Sequence, residues 1–206
     1  MNIRVDDFFM ILKKYFPDMD ERLKKPDKEA LNCLKQAVSE KGYEFDPQLS
    51  SLYEYADGEN DDLITSVMAG FEFISAQKAL DNFLFFSDPQ YASNYEWKRK
   101  YTDAVQEKSS AELCWIPFAH DASRCFFAVD LTPDINGRKG QVIGVDGDTH
   151  KVYLMAGSLT EFFGTIIQYL YDGILVIGDE EEERYMEAGT GHLLDMMDEI
   201  HTAENK

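Results

Sequence analysis

From Leu113 to Leu170 the chain alternates short apolar runs with turn signals and then closes on a capped helix, an order that admits few folds. Leu113 to Ala119 and Arg124 to Leu131 read as strands, the second ended by Thr132-Pro133. Asn136-Gly137 is a turn dipeptide. Gln141 to Val145 and Val152 to Met155 flank Asp146-Gly147-Asp148, which reads as a hairpin turn. Ser158-Leu159-Thr160-Glu161 is a capping box. It opens a helix whose apolar face is Leu159, Phe162, Phe163, Ile166, Ile167, Tyr169 and Leu170, and Gly173 ends it. Strands and a helix in this order place the chain in the α+β class.

The rest of the chain supplies helices and short strands around that segment. Val5 to Phe16 carries apolar residues at helical spacing and is stopped by Pro17. Asp27 caps a helix over residues 28–41, with Leu31, Leu34 and Val38 on one face. Asp46-Pro47 starts a third, with Leu49, Leu52 and Tyr53 buried, and Asp57-Gly58 ends it. Leu63 to Met68 and Phe71 to Ile74 read as two short strands. Ser75 caps a helix through about Phe86. Trp97 and Tyr101, four apart, are placed on one helix face. Ile174 to Ile177 is a further short strand, and Leu193, Leu194, Met196, Met197 and Ile200 form the apolar face of a last helix.

Charge narrows the function. The net charge is −19, from 39 acidic residues against 20 basic ones. Phosphate backbones and anionic membrane surfaces call for the opposite sign, whereas a basic protein partner is favoured. The excess lies toward the C-terminus: from Ala111 onward the only bases are Arg124, Arg138, Lys139, Lys151, Arg184 and Lys206. Asp179 to Glu183 are five consecutive acids, read either as a solvated face or helix start or as a docking surface for a basic partner. The first residues place acids where a signal peptide has its bases, and no apolar run reaches the ~18 residues a membrane span needs. The expected location is the cytoplasm. The odd set Cys33, Cys114 and Cys125, without metal-type spacing, reads as reduced thiols.

The candidate chemical motifs are weak. Glycines 137, 140 and 144 lie in a hairpin rather than between a strand and a helix, so they form no phosphate loop. Asp146-Gly147-Asp148 with His150 lacks the further acids and distal Glu of a calcium loop. His120-Asp121 with Cys114 resembles part of a nucleophilic set, but neighbours on a strand face opposite ways. No catalytic residue, cofactor or metal is expected.

The stretches WIPFAHDASRCFFAVDLTP and NGRKGQVIGVDGDTHKVYLMAGSLTEFF resemble the core of the SUKH superfamily, which includes yeast glucan-synthesis regulators and bacterial toxin-immunity proteins. The resemblance rests on Trp115-Ile116-Pro117, Asp121, Phe127, Asp130, Pro133, Gly140-Gln141-Val142, Ser158 and Glu161-Phe162, in that order. Upstream, DPQLSSLYEYADGE and GFEFISAQKAL resemble the family's preceding helix and its next strand and helix, so that the likeness runs roughly from Phe45 to Leu170. Two departures stand out: Ala122-Ser123 replaces the family's usual Gly-Gly, and Asp57-Gly58 replaces Asn-Gly.

The resemblance implies a single SUKH-like α+β domain, with a mostly antiparallel sheet packed by helices. It would occupy residues 1–178, with its core at 45–170 and a helical extension at 1–44, followed by an acidic helical tail at 179–206. It also implies a non-enzymatic immunity protein that binds and neutralises a cognate toxin, a basic nuclease being one candidate. The alternatives are a regulatory scaffold like the yeast relatives, and a small-ligand binder or enzyme. The expected partner-binding residues are Asp146, Asp148, Asp179, Glu180, Glu181, Glu182 and Glu183.

Overall fold

The computed structural model describes residues 1–63, 65–92, 96–121, 124–180, 183–189 and 192–197. Its first half is helical, and three of the helices there start on a side-chain cap. Helix α1 (Val5–Leu12) buries Val5, Phe8, Phe9 and Leu12. A short α2 (Met19–Arg22) follows. The Asp27 carboxylate accepts the N–H groups of Glu29 and Ala30 at the start of α3 (Lys28–Glu40). Asp46 does the same for Gln48 and Leu49 at α4 (Pro47–Tyr55). Ser75 Oγ accepts from Lys78 N at α5 (Ala76–Ser87), and α6 (Pro89–Ala92) is a single further turn. These local bonds satisfy N–H groups that have no partner within the helix.

The strands are β1 (Glu72–Phe73), β2 (Lys98–Lys100), β3 (Trp115–His120), β4 (Phe126–Asp130), β5 (Gln141–Asp146) and β6 (Lys151–Ala156). They form one sheet in the order β1-β3-β4-β5-β6-β2. Every pair is antiparallel except β2 with β6, which is parallel. Helix α7 (Leu159–Asp172) then lies on the sheet, with Phe162 against Phe118 and Phe127. Helix α1 packs on α7 through Phe8, whose ring stacks on Phe163 at 4.3 Å. The architecture is α+β, with a mostly antiparallel sheet packed by helices, as the sequence implies.

The sheet is covered on both faces. Ile116, Phe118, Phe127, Val129, Val142, Tyr153 and Met155 point into the main core with the helices. Trp115, Phe126, Ala128, Ile143, Val145 and Val152 point to a second core, which Trp97, Val105 and Leu113 close. The segment between α6 and β3 is therefore a cover for the back of the sheet. That explains why β4 and β5 are buried along their whole length instead of alternating between core and solvent.

Three local expectations change. Among the described residues of Leu63 to Met68 none lies in a strand; only Glu72–Phe73 is regular, with an isolated bridge between Met68 and Phe71. A buried carboxylate, Glu59, takes the N–H groups of Thr65, Ser66 and Val67 that a ladder would otherwise use. Trp97 and Tyr101 flank strand β2 rather than sharing a helix face. Trp97 is buried beside Trp115, whereas Tyr101 is 53% exposed. Finally, the strand expected at Ile174 to Ile177 is present but runs on as β7 (Leu175–Glu180) and pairs with β8 (Glu183–Ala188), so Asp179, Glu180 and Glu183, expected in a helical tail, lie in a β-hairpin. Leu175, Met186 and Ala188 join the main core from it, and Met186 and Ala188 are two apart, the period of a strand. Helix resumes only at residues 193–197.

Candidate partner-binding surface

The sequence-predicted acids fall on two different sheets. Asp146 and Asp148 belong to the β5–β6 turn of the six-stranded sheet, and Asp179, Glu180 and Glu183 belong to the two-stranded one. Asp146 is buried, and its carboxylate accepts from Asp148 N and Thr149 N, both at 3.0 Å, and from Thr149 Oγ1. Burial opposes its ionisation, but the Thr149 and Asp148 bonds prevail and hold its carboxyl below the usual value. It shapes the turn and presents the exposed Asp148 to solvent. Asp179 pairs with Arg184 and Glu180 with Glu183 across the hairpin, while Glu181 and Glu182 lie outside the described residues.

The fold brings Asp18 near that hairpin. Arg22 of α2 donates from Nη1 to the Arg184 carbonyl at 3.3 Å, and Arg184 Nη1 donates to the Tyr15 carbonyl at 3.3 Å. Met186 N bonds to Thr65 O at 2.7 Å. Strand β8 thus passes close to Asp18 at Arg184, one residue from the acidic run. Arg22 Nε lies 2.7 Å from Asp18 Oδ1 and holds that carboxyl below its usual value. Glu21 is exposed, and Asp20 pairs with Lys13 at the surface, a contact that contributes little. Nothing in the linear sequence links Asp18 to Arg184; the chain return that joins them is tertiary.

Several buried polar groups organise the fold beneath this surface. Asp57 Oδ1 accepts from Ala76 N at 2.8 Å, anchoring the start of α5 from a distance. Gly58 has φ +85°, and a Cβ there would lie 2.6 Å from Ser75 N. Glu59 is 1% exposed and its two oxygens receive five hydrogen bonds, from Thr65 N and Oγ1, Ser66 N, Val67 N and Phe73 N. Burial raises its carboxyl, and those donors work against the rise. Asp130 accepts from Thr132 N at 2.8 Å and from Gln141 Nε2 at 2.9 Å, and burial pushes its carboxyl up to about 6. Gln141 Nε2 also reaches Ala104 O at 3.0 Å, tying the back cover to the sheet. Asp130 and Gln141, two residues that carry the resemblance, are thus one buried contact.

The residues weighed for chemistry are dispersed. Cys114 is buried, and burial pushes its thiol up to about 12, which keeps it a poor nucleophile at neutral pH. His120 Nε2 meets Glu72 Oε2 at 2.9 Å, and that contact lowers the Glu72 carboxyl. Asp121, by contrast, lies beside His192, with Oδ2 3.0 Å from Nε2. An open cleft lined by Arg99, Gln106, Glu107, Lys108 and Asp134 has Arg99 already paired with Asp134 at 2.8 Å. Among the described residues no helix is long and apolar enough to cross a membrane.

No curated protein matches the chain in sequence. The model of the SMI1 / KNR4 family (SUKH-1) matches residues 25–165, which takes in α3, the whole six-stranded sheet and the first half of α7. Helices α1 and α2 and the β7–β8 hairpin fall outside that match. On this match, with the sheet and its helices in place, the chain belongs to the SMI1 / KNR4 family (SUKH-1), which includes toxin immunity proteins and glucan-synthesis regulators and whose members are generally non-enzymatic.

Proposed function

We propose that this protein is an immunity protein that binds a cognate basic toxin and neutralises it by covering its active surface. The observation that carries the reading is the charge of −19 on a family fold, with five consecutive acids outside the matched region, of which Asp179, Glu180 and Glu183 lie in a β-hairpin. A nuclease fits best among toxin classes, because its phosphate-binding cleft is basic and an acidic hairpin competes for the same field. Close charge pairs at such interfaces are worth on the order of 2–7 kcal/mol. Asp148 and residues 179–183 are the proposed contacts, together with Asp18, Asp20 and Glu21. The protein acts in this reading by binding, in the cytoplasm of the producing cell, without catalysis of its own.

The test is co-expression with the product of the adjacent gene. The expected result is rescue of growth and a one-to-one complex whose affinity falls steeply with salt. Replacing residues 179–183 by their amides or serine should weaken that complex at least tenfold and leave the fold intact. A neighbour that is neither toxic nor bound defeats the proposal, and several weak partners captured through residues 1–42 favour a regulatory scaffold instead.

A further inference from the structure

Three donors of different chemistry converge where the β3–β4 connection meets the C-terminal segment. They are an Asp121 carboxylate oxygen, Cys125 Sγ and a His192 ring nitrogen, and all lie within 4.8 Å of one another. Asp121 and Cys125 are locked together: Cys125 N donates to Asp121 Oδ1 and Asp121 N to Cys125 O, both at 3.2 Å. His192 arrives from 67 residues beyond Cys125 and is held by its neighbours. Leu193 and Leu194 are buried. Leu194 packs closely over β5, its Cδ2 lying where a Cβ on Gly144 would come within 2.6 Å. The Phe71 ring packs on the imidazole at 4.8 Å.

Each of these side chains also has a polar neighbour in the protein, Cys125 Sγ lying 3.8 Å from Asp146 Oδ1. His192 Nε2 is shielded from solvent and lies 3.0 Å from Asp121 Oδ2, a contact that raises the imidazole above its usual value. An ion that takes the imidazole and the thiolate replaces the proton each group otherwise carries. Tetrahedral zinc, with bonds of about 2.0–2.3 Å, sets its ligands about 3.3–3.8 Å apart. The three atoms therefore need shifts of only about an ångström to enclose an ion of that size. One thiolate, one imidazole and one carboxylate select a borderline-soft ion over magnesium or calcium.

We propose that Asp121, Cys125 and His192 bind a single divalent transition-metal ion of the zinc type, stapling the C-terminal segment to the β3–β4 end of the sheet. The fourth position is left for water. Cys125 binds as thiolate and His192 as neutral imidazole, so loading releases their protons. Because the ligands come together only in the folded chain, the ion stabilises the fold by mass action.

The test uses the full-length, metal-stripped protein. Zinc is added alone in a calorimetric titration, and cobalt alone in an absorption titration. The expected result is one site per chain, a rise in the thermal midpoint with zinc, and a thiolate-to-cobalt charge-transfer band. Cys125→Ser should weaken binding at least 100-fold and abolish the band, and His192→Ala should weaken it at least tenfold. Cys33→Ser, at an exposed thiol remote in sequence, should change neither. Absence of binding overturns the proposal, and so does binding that survives Cys125→Ser or disappears with Cys33→Ser.

Discussion

Replacing Glu59 by glutamine keeps the size and shape of the side chain and exchanges one oxygen for an NH2 group. In the native protein Oε1 receives Val67 N at 3.1 Å and Phe73 N at 2.9 Å. Oε2 receives Ser66 N at 2.9 Å and Thr65 N, together with the Thr65 hydroxyl at 2.8 Å. The hydroxyl can turn and become an acceptor; a backbone N–H cannot. Whichever way the amide is oriented, its NH2 faces two backbone N–H groups that lose their acceptor. A buried donor left unpaired costs about 1–3 kcal/mol, so the two cost about 2–6 kcal/mol. The neutral amide escapes the penalty for burying a charge, which offsets part of that. A net loss of about 2 kcal/mol or more is expected, a sizeable share of the roughly 5–15 kcal/mol that holds a domain together. Urea unfolding of both proteins at neutral pH measures it, with equal slopes as the check that only stability has changed. A Glu59→Gln protein as stable as the parent would refute the assignment of Glu59 as the acceptor that organises residues 65–73.

Three further outcomes follow from the same buried groups. Gly58→Ala should destabilise by about 2–5 kcal/mol in urea unfolding, since alanine at positive φ costs about 1–2 kcal/mol and the backbone of Ser75 leaves its methyl no room; an unchanged midpoint would contradict the close approach. Trp97→Ala should cost about 3–5 kcal/mol and increase exposure of Trp115 to a fluorescence quencher, because Trp97 closes the core behind the sheet. Burial holds Asp130 at about 6 in the folded protein, above its unfolded value of 3.8, so the folded state binds the proton more tightly. The stability this group contributes is complete below pH 3.8 and is lost as pH rises through about 6. Relative to Asp130→Asn, the parent should therefore lose stability between pH 4 and pH 7 in urea titrations, and a constant difference would show that Asp130 does not titrate in this window.

The legible parts of the fold are those whose partners are near in sequence. Asp27, Asp46, Ser75 and Ser158 each accept a hydrogen bond from an N–H within three residues, so the helices they start can be read from the chain. The Asp146 turn is also local, with its donors at Asp148 and Thr149. The β7–β8 hairpin was harder to read. Its strands are rich in charge, and the apolar residues that identify them, Leu175, Met186 and Ala188, are few and find their partners only in the assembled core.

The linear order of apolar runs, turns and caps determined the α+β class and the family core, because those signals act over a few residues. Tertiary structure alone decided what closes the back of the sheet, since Trp97 meets Trp115 only after the chain has turned. It also decided that Glu59 receives an N–H from Phe73, fourteen residues on, and that His192 comes to rest beside Asp121. The acids at 179–183 are plain in the sequence, but the docking of β8 against α2 depends on Arg22 and Arg184 contacting backbone more than 160 residues away. Such contacts follow from the path of the whole chain, and residue spacing carries no record of that path.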